Sequence, residues 1–282
     1  MNIRVPSVIR LYLVVTFMFF STTTFSQQKV TDQHTGKGIA FAAIYKASTN
    51  EGCYADEAGN FKLSTKPNDT LILSSVGYKT DTFVVTKNIG SYSLSPKIYP
   101  VEEVTVQARL SKNTRELGYN KAREHIGFSS HPGSEYVVFI PNPEPEKTFI
   151  IESLLLTIKN KSPEEALFRL HLYAKDSTAF FPGNELFGMD AQCKSRRRIK
   201  KIELPEAVRL PAEGIFVGLE WVKVLQHDGE SNSPGLDLDL TVPLTFAIEK
   251  PYTFFRSKFY DNLWQSADAN HPLTQLQNQD NP

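Results

Sequence analysis

The residues whose types and spacing could do chemistry are few, and the sharpest set is His227-Asp228-Gly229-Glu230. A histidine and a glutamate three positions apart can offer an imidazole nitrogen and a carboxylate oxygen to one Zn²⁺. Zinc hydrolysis also needs a third protein ligand and an acid/base carboxylate held in a dry cleft. Only His271 follows, in a polar tail, and no H-E-x-x-H occurs anywhere. The surrounding VLQHDGESNSPGLDLDL also carries Asp228, Glu230, Asn232, Asp237 and Asp239. Oxygen ligands on a loop suit Ca²⁺, but their order departs from D-x-[DN]-x-[DN]-G. The stretch reads as a solvated acidic loop, so no metal ligand and no cofactor is assigned.

Nucleophilic and phosphate chemistry leave no trace either. There is no G-x-S-x-G elbow and no G-x-x-x-x-G-K-[ST] loop. Cys53 and Cys193 lack an evident base partner and read as two buried free thiols, with a disulfide bridging the two domains as the alternative. No catalytic residue is assigned, and the expectation is a protein that is not an enzyme.

Three further patterns invite a binding role. Lys194 to Lys201 (KSRRRIKK) places six basic residues in eight. It reads as a cationic guard on an edge strand, with an anionic partner as the alternative. Arg169, His171 and Tyr173 share one face of LFRLHLY, which reads as the solvent side of a sheet. Tyr252, Phe254, Phe255, Phe259, Tyr260 and Trp264 crowd together. Aromatic rings stack on sugars, but strand alternation sends about half of them into a core.

The elements that must position these residues are strands. The chain has 282 residues, with 19 Phe, 11 Tyr and 17 Pro, a mix that favours strands and turns. Residues 1–26 have the plan of a secretory signal. Arg4 and Arg10 precede the apolar run Leu11 to Phe20, and Ser21 to Ser26 supplies a cleavage site before Gln27. The apolar run is about half of the ~20 residues that a membrane span needs. Export to the periplasm, the outer-membrane surface or the medium is therefore expected. The chain carries 31 basic and 31 acidic groups, and the signal segment holds two arginines and no acid. The exported part is thus close to neutral and slightly acidic, which gives no general attraction to nucleic acid.

Between Gln27 and Ala108 turn residues recur at short intervals. Ile39 to Ala47, Phe61 with Leu63, Thr70 to Val76, Thr82 to Val85, Tyr92 to Leu94 and Val101 to Ala108 read as strands. Asp56 to Asn60 reads as a hairpin turn with Gly59 at positive φ, whereas Gly52 sits in a less demanding turn. Residues 109–130 read as a linker, 131–265 as a second, larger sandwich of jelly-roll type, and 266–282 as a polar tail. In the second unit Tyr136 to Ile140, Thr148 to Ile158, Leu167 to Tyr173, Ile199 to Leu204, Gly214 to Val222, Leu244 to Ile248 and Tyr252 to Phe259 read as strands, and Pro182-Gly183-Asn184 as a turn. The fold class is all-β, a seven-stranded β-sandwich followed by a jelly-roll-like one.

The segments GIAFAAIYKASTNEGCYADEAGNFKL, DTLILSSVGYKTDTFVV and VEEVTVQA resemble the carboxypeptidase regulatory-like domain. That resemblance implies a transthyretin-like (prealbumin-like) sandwich over positions 27–108. Its turn and packing positions fall on Gly36, Phe41, Asp56, Gly59, Phe61, Gly77 and Tyr78. It implies no catalytic residues. The family's modules sit beside zinc carboxypeptidases, or ahead of the plug of TonB-dependent receptors in Gram-negative bacteria. A zinc hydrolase using His227 and Glu230, and an accessory of an outer-membrane transporter, are thus the alternatives to a binding module. FRLHLYAKD, PGNEL and LPAEGIFVGLEWV resemble an uncharacterised family of secreted bacterial sandwich domains, which implies no activity. The expected partner is an envelope protein or a glycan, with association with outer-membrane proteins as a further expectation.

The exported protein is expected to begin near Gln27. Its intact mass checks this: a mass that retains Met1 to Ser26 would make that segment an anchor.

Overall fold

The computed structural model describes residues 28–49, 51–86, 90–97, 114–119, 125–129, 132–157, 165–193, 199–225, 239–243, 252–260 and 262–266. The signal segment, the expected strand over 101–108, His227, Glu230, the acidic residues 228–237, the strand expected over 244–248 and the tail beyond 266 lie outside them. The described residues form seventeen strands and no helix.

The first unit is a sandwich of seven short strands: β1 (Gln28–Asp32), β2 (Ala43–Lys46), β3 (Gly52–Tyr54), β4 (Asn60–Phe61), β5 (Thr70–Ser74), β6 (Asp81–Val84) and β7 (Ser91–Leu94). One sheet runs β4-β1-β7, with β1 and β7 parallel, and the other runs β3-β2-β5-β6. Alternation along β5 and β7 sends Leu71, Leu73, Tyr92 and Leu94 inward to meet Val30, Ile44 and Phe61. Asp56 builds the turn before β4: its Oδ1 accepts the amides of Ala58 (2.9 Å) and Asn60 (2.8 Å). Gly59 then adopts φ +83, and a Cβ there would lie 2.5 Å from the Val30 carbonyl oxygen.

The second unit contains β8 (His125–Ser129), β9 (Ser134–Pro141), β10 (Ile150–Thr157), β11 (Glu165–Lys175), β12 (Pro182–Cys193), β13 (Ile199–Arg209), β14 (Gly214–Leu225), β15 (Asp239–Pro243), β16 (Thr253–Ser257) and β17 (Gln265–Ser266). Its main sheet is ordered β12-β11-β14-β9-β16-β17. The β10-β13 and β15-β8 ladders form the opposing layer, with β10 beside β15. Strands β8 to β15 thus divide between two layers in the order of a jelly roll. Phe168, Leu170, Leu172, Val217, Leu219 and Trp221 on one face of the main sheet pack against Leu154, Ile202 and Val208 of the other layer.

Three expectations change. Pro182-Gly183-Asn184 is the start of the long strand β12, because Pro182 pairs with Lys175 at a bulged strand end, where its missing N–H is tolerated. Part of the expected linker belongs to the second unit. Leu117 packs on its core, the Tyr119 hydroxyl donates to the Phe139 carbonyl (3.2 Å), and β8 pairs with β15. Gly52 is confined, since a Cβ there would lie 2.4 Å from the Phe259 ring and 2.8 Å from the Ile44 carbonyl oxygen.

Gly59→Val is expected to cost the first sandwich at least about 3 kcal/mol, from a β-branched residue at positive φ and a backbone collision. Gly52→Ala is expected to cost about 1–3 kcal/mol by overpacking, and less in a Phe259→Ala background. Denaturant titration of the four variants checks both. An unchanged midpoint for Gly59→Val would refute the turn, and equal Gly52→Ala costs in both backgrounds would refute the packing of Phe259 on Gly52.

Candidate functional site

The main sheet's second face carries charge where the first carries a hydrophobic core. Strand register lines up five side chains in one row across five strands. Asp190 pairs with Arg169, Arg169 with Glu220, Glu220 with Glu135, and Glu135 with Arg256. The next row along the strands is Gly188, His171, Gly218, Val137 and Phe254. His171 is therefore flanked by two glycines. A Cβ on Gly188 would lie 2.9 Å from Glu185 Oε1, and one on Gly218 would lie 2.9 Å from Glu135 Oε1. The glycines leave the volume into which these carboxylates reach.

The first sandwich covers this face. Arg169, His171, Glu135 and Glu220 are 1%, 4%, 0% and 0% exposed. The reading of Arg169, His171 and Tyr173 as the solvent side of a sheet is therefore corrected. Alternation separates two faces but cannot say whether a second domain lies on the polar one. Tyr54 of β3 donates to Glu220 Oε1 (2.5 Å) and lies 3.3 Å from the Trp221 carbonyl oxygen. Arg169 Nη2 donates to the Phe41 carbonyl (3.1 Å), and Lys97 pairs with Glu185 (3.0 Å). Lys223 Nζ stands 4.4 Å from the Phe41 ring centroid. Phe41 has φ +54, a sparsely populated conformation for a bulky residue, and it presents its carbonyl to Arg169.

Glu220 is the hub. Its oxygens accept from Tyr54, from His171 Nε2 (2.7 Å) and from Lys258 Nζ (2.8 and 2.9 Å). The other imidazole nitrogen, Nδ1, lies 2.7 Å from Glu185 Oε1. Glu135 accepts from the Tyr173 hydroxyl (2.6 Å) and from Arg256 Nε (2.8 Å). Arg169 Nε donates to Asp190 (2.7 Å). With His171 protonated, Arg169, His171, Arg256, Lys258 and, at the edge, Lys97 set five positive charges against the four of Glu135, Glu185, Asp190 and Glu220.

Burial alone would discharge His171, but the carboxylates of Glu135, Glu185 and Glu220 outweigh it and raise its pKa to about 9. Burial likewise opposes the charge on Glu185, yet His171 and Lys97 lower its pKa to about 2. Glu220 is held well below the usual carboxylate range by Lys258, His171 and Arg169 despite its burial. Burial and Glu220 push the Tyr54 hydroxyl well above its ordinary value.

Glu135, His171 and Glu220 could in principle share a metal ion, since one ligand atom from each lies within 4.8 Å of the others. The donor set does not suit one. Both imidazole nitrogens face carboxylates, and Lys258 and Arg256 already supply positive charge to Glu220 and Glu135. Each of the three side chains is instead engaged by hydrogen bonds and ion pairs within the cluster.

The other sequence candidates scatter. Cys53 is free, and burial pushes its thiol up to about 11; the Cys193 side chain lies outside the described residues. Of KSRRRIKK, Lys201 lies on β13, whose only ladder partner among the described strands is β10, and pairs with Glu203. Asp239 begins β15. Phe254 joins Phe139, Phe216 and Val137 in a small core, with Tyr252 and Trp264 packed against it. Arg256 stacks on the Trp264 ring at 4.2 Å, and Phe259 meets Tyr54 edge-on at 4.9 Å. Tyr260 projects outward, 68% exposed. Sequence reasoning missed Glu135, Glu185, Asp190, Glu220, Arg256 and Lys258. The one available signal was Glu220, a lone carboxylate inside the apolar run GIFVGLEWV.

Residues 28–106 match the family model of the CarboxypepD_reg-like domain. That stretch contains all seven strands of the first sandwich and the junction residues Phe41, Tyr54 and Lys97. No curated protein matches the chain.

Because the His171 pKa is raised in the folded state, its stabilisation is complete below the unfolded value of ~6.5. It is lost as pH rises through about 9. Glu185 and Glu220 act oppositely: their contribution is complete above the unfolded ~4.3 and is lost as pH falls toward the depressed folded values. Stability is expected to be highest between about pH 4.5 and 6.5, with on the order of 3 kcal/mol lost on the alkaline side. His171→Ala is expected to cost about 3–5 kcal/mol near pH 6, by leaving buried carboxylates short of a partner. It should also flatten the alkaline slope. Denaturant midpoints across pH test this; an alkaline slope unaltered by the substitution would refute the assignment.

Proposed function

With residues 28–106 a carboxypeptidase regulatory-like domain, we propose that the protein is a non-catalytic binding or interaction protein of the cell envelope. It is exported by its amino-terminal signal and uses its two docked sandwiches as one recognition body. One observation carries this reading: the only dense cluster of acid, base and phenol groups among the described residues is spent on itself. Glu220 satisfies Tyr54, His171 and Lys258 at once, and the cluster lies sealed between the sandwiches.

A general base must reach a substrate proton, and a nucleophile must reach an electrophilic atom. His171 faces carboxylates from both ring nitrogens and is held protonated, which is the wrong state for a base. Tyr54 and Tyr173 each donate to a carboxylate and are held protonated far above neutral pH. These groups act as a joint. A joint of this kind keeps surfaces contributed by both sandwiches in constant register, which suits recognition of an envelope protein or a glycan.

Metal and peptidase measurements on the exported protein test the proposal. Wild type and His227→Ala/Glu230→Ala are expected to have equal, substoichiometric zinc, equal melting temperatures and no peptidase activity. Stoichiometric zinc that disappears in the double variant, together with hydrolysis of a peptide substrate, would replace the proposal with a zinc hydrolase.

A further inference from the structure

We propose that the cleft between the two sandwiches binds a neutral oligosaccharide. This rests on the binding-module reading and names its ligand class. The cleft has a volume of about 300 Å³ and opens beside the charged joint. The first sandwich contributes Tyr45, Ser48 and Thr49, and the turn after β16 contributes Phe259, Tyr260 and Asn262.

Three features select the ligand. The first is charge. Two lysines line the cleft and both are already paired: Lys46 with Glu51, and Lys258 with Glu220. The described walls therefore offer no uncompensated charge to an ionic ligand. The second is hydrogen bonding. Tyr45, Ser48, Thr49 and Asn262 line this small volume, and Asn262 Nδ2 donates to the Tyr45 hydroxyl at 3.4 Å. Asn262 Oδ1 is buried without a hydrogen-bond partner among the described residues. The terminal amide torsion is soft, so a modest rotation turns this unsatisfied acceptor toward a ligand hydroxyl. The third is an apolar platform. Tyr260 lines the cleft while standing 68% exposed, and Phe259 and Ile72 line it beside Tyr260. An exposed aromatic ring beside uncharged donors and acceptors matches a pyranose, which has an apolar face and a rim of hydroxyls.

The turn that carries these groups is preorganised. Asn262 has φ +52, and its backbone N–H donates to the Ser257 carbonyl (3.0 Å), as does the backbone N–H of Tyr260 (3.1 Å). Lys258 anchors the same turn to Glu220, so the cleft wall is braced by the joint between the sandwiches. Binding then requires little ordering of the protein.

The test titrates the whole exported protein with neutral gluco-, xylo- and manno-oligosaccharides and with acidic oligogalacturonate, followed by calorimetry. At least one neutral oligosaccharide is expected to bind, and Tyr260→Ala to weaken it about tenfold or more. Tyr45→Phe, which removes one hydroxyl, should weaken it severalfold, and both variants should melt with the wild type. No binding of any neutral oligosaccharide at millimolar concentration would overturn the inference. Binding indifferent to both substitutions, or preference for the acidic ligand, would overturn it as well. Reducing ends are assayed in the same samples. Cleavage of a bound oligosaccharide would defeat the non-catalytic reading and leave the cleft assignment standing, whereas absence of binding without cleavage does the reverse.

Discussion

The structure hangs on the carboxylate of Glu220, fully removed from water in the middle of a six-stranded sheet. A buried carboxylate without partners costs several kcal/mol, so everything around it must supply hydrogens. His171 comes from the neighbouring strand β11, Lys258 from the turn after β16 and Tyr54 from the other sandwich. No single unit can satisfy this group. The first sandwich therefore completes the electrostatics of the second, and the interface has one orientation in which all of the donors meet.

Small residues and an unusual backbone make that meeting possible. Gly188 and Gly218 flank His171 and leave room for the side chains of Glu185 and Glu135. Phe41 takes a left-handed conformation, and the strain is offset by the bond from Arg169 to its carbonyl. The bulge in β14 opposite Leu167 and Phe168 restores the register that sets Arg169 against Glu220. The row from Asp190 to Arg256 depends on that register, because a one-residue slip would exchange the charged face for the core face.

A buried polar interface also differs in kind from an apolar one. Apolar contact is non-directional and tolerates sliding, whereas short charged hydrogen bonds such as the two of His171 do not. The second sandwich keeps its apolar material where sliding is harmless: the layer around Leu170 and Trp221, and the aromatic group around Phe216 and Phe254. Its charge is concentrated where two bodies must be set at one angle. A cleft walled by both bodies keeps its shape only under such a constraint.

Local pattern carried much of the architecture. Alternation and turn residues were sufficient for an all-β chain, for β2 and β4 to β7 of the first sandwich and for most strands of the second, whereas β1 and β3 were not read as strands. The segment around DEAGN was legible because Asp56 and Gly59 act within a single short turn. Strand β12 was obscured because Pro182 and Gly183 have the composition of a turn, and only pairing with β11 makes them a strand end. The charged site was illegible for the same reason. Glu135, His171, Glu185, Glu220 and Lys258 are scattered over nearly half of the chain, and nothing local marks one as the partner of another. The sequence by itself determined which residues alternate, where the chain turns and that Arg169, His171 and Tyr173 share a face. Only the tertiary structure decided that this face is an interior, because burial by a second domain is a long-range event that a two-residue period cannot encode.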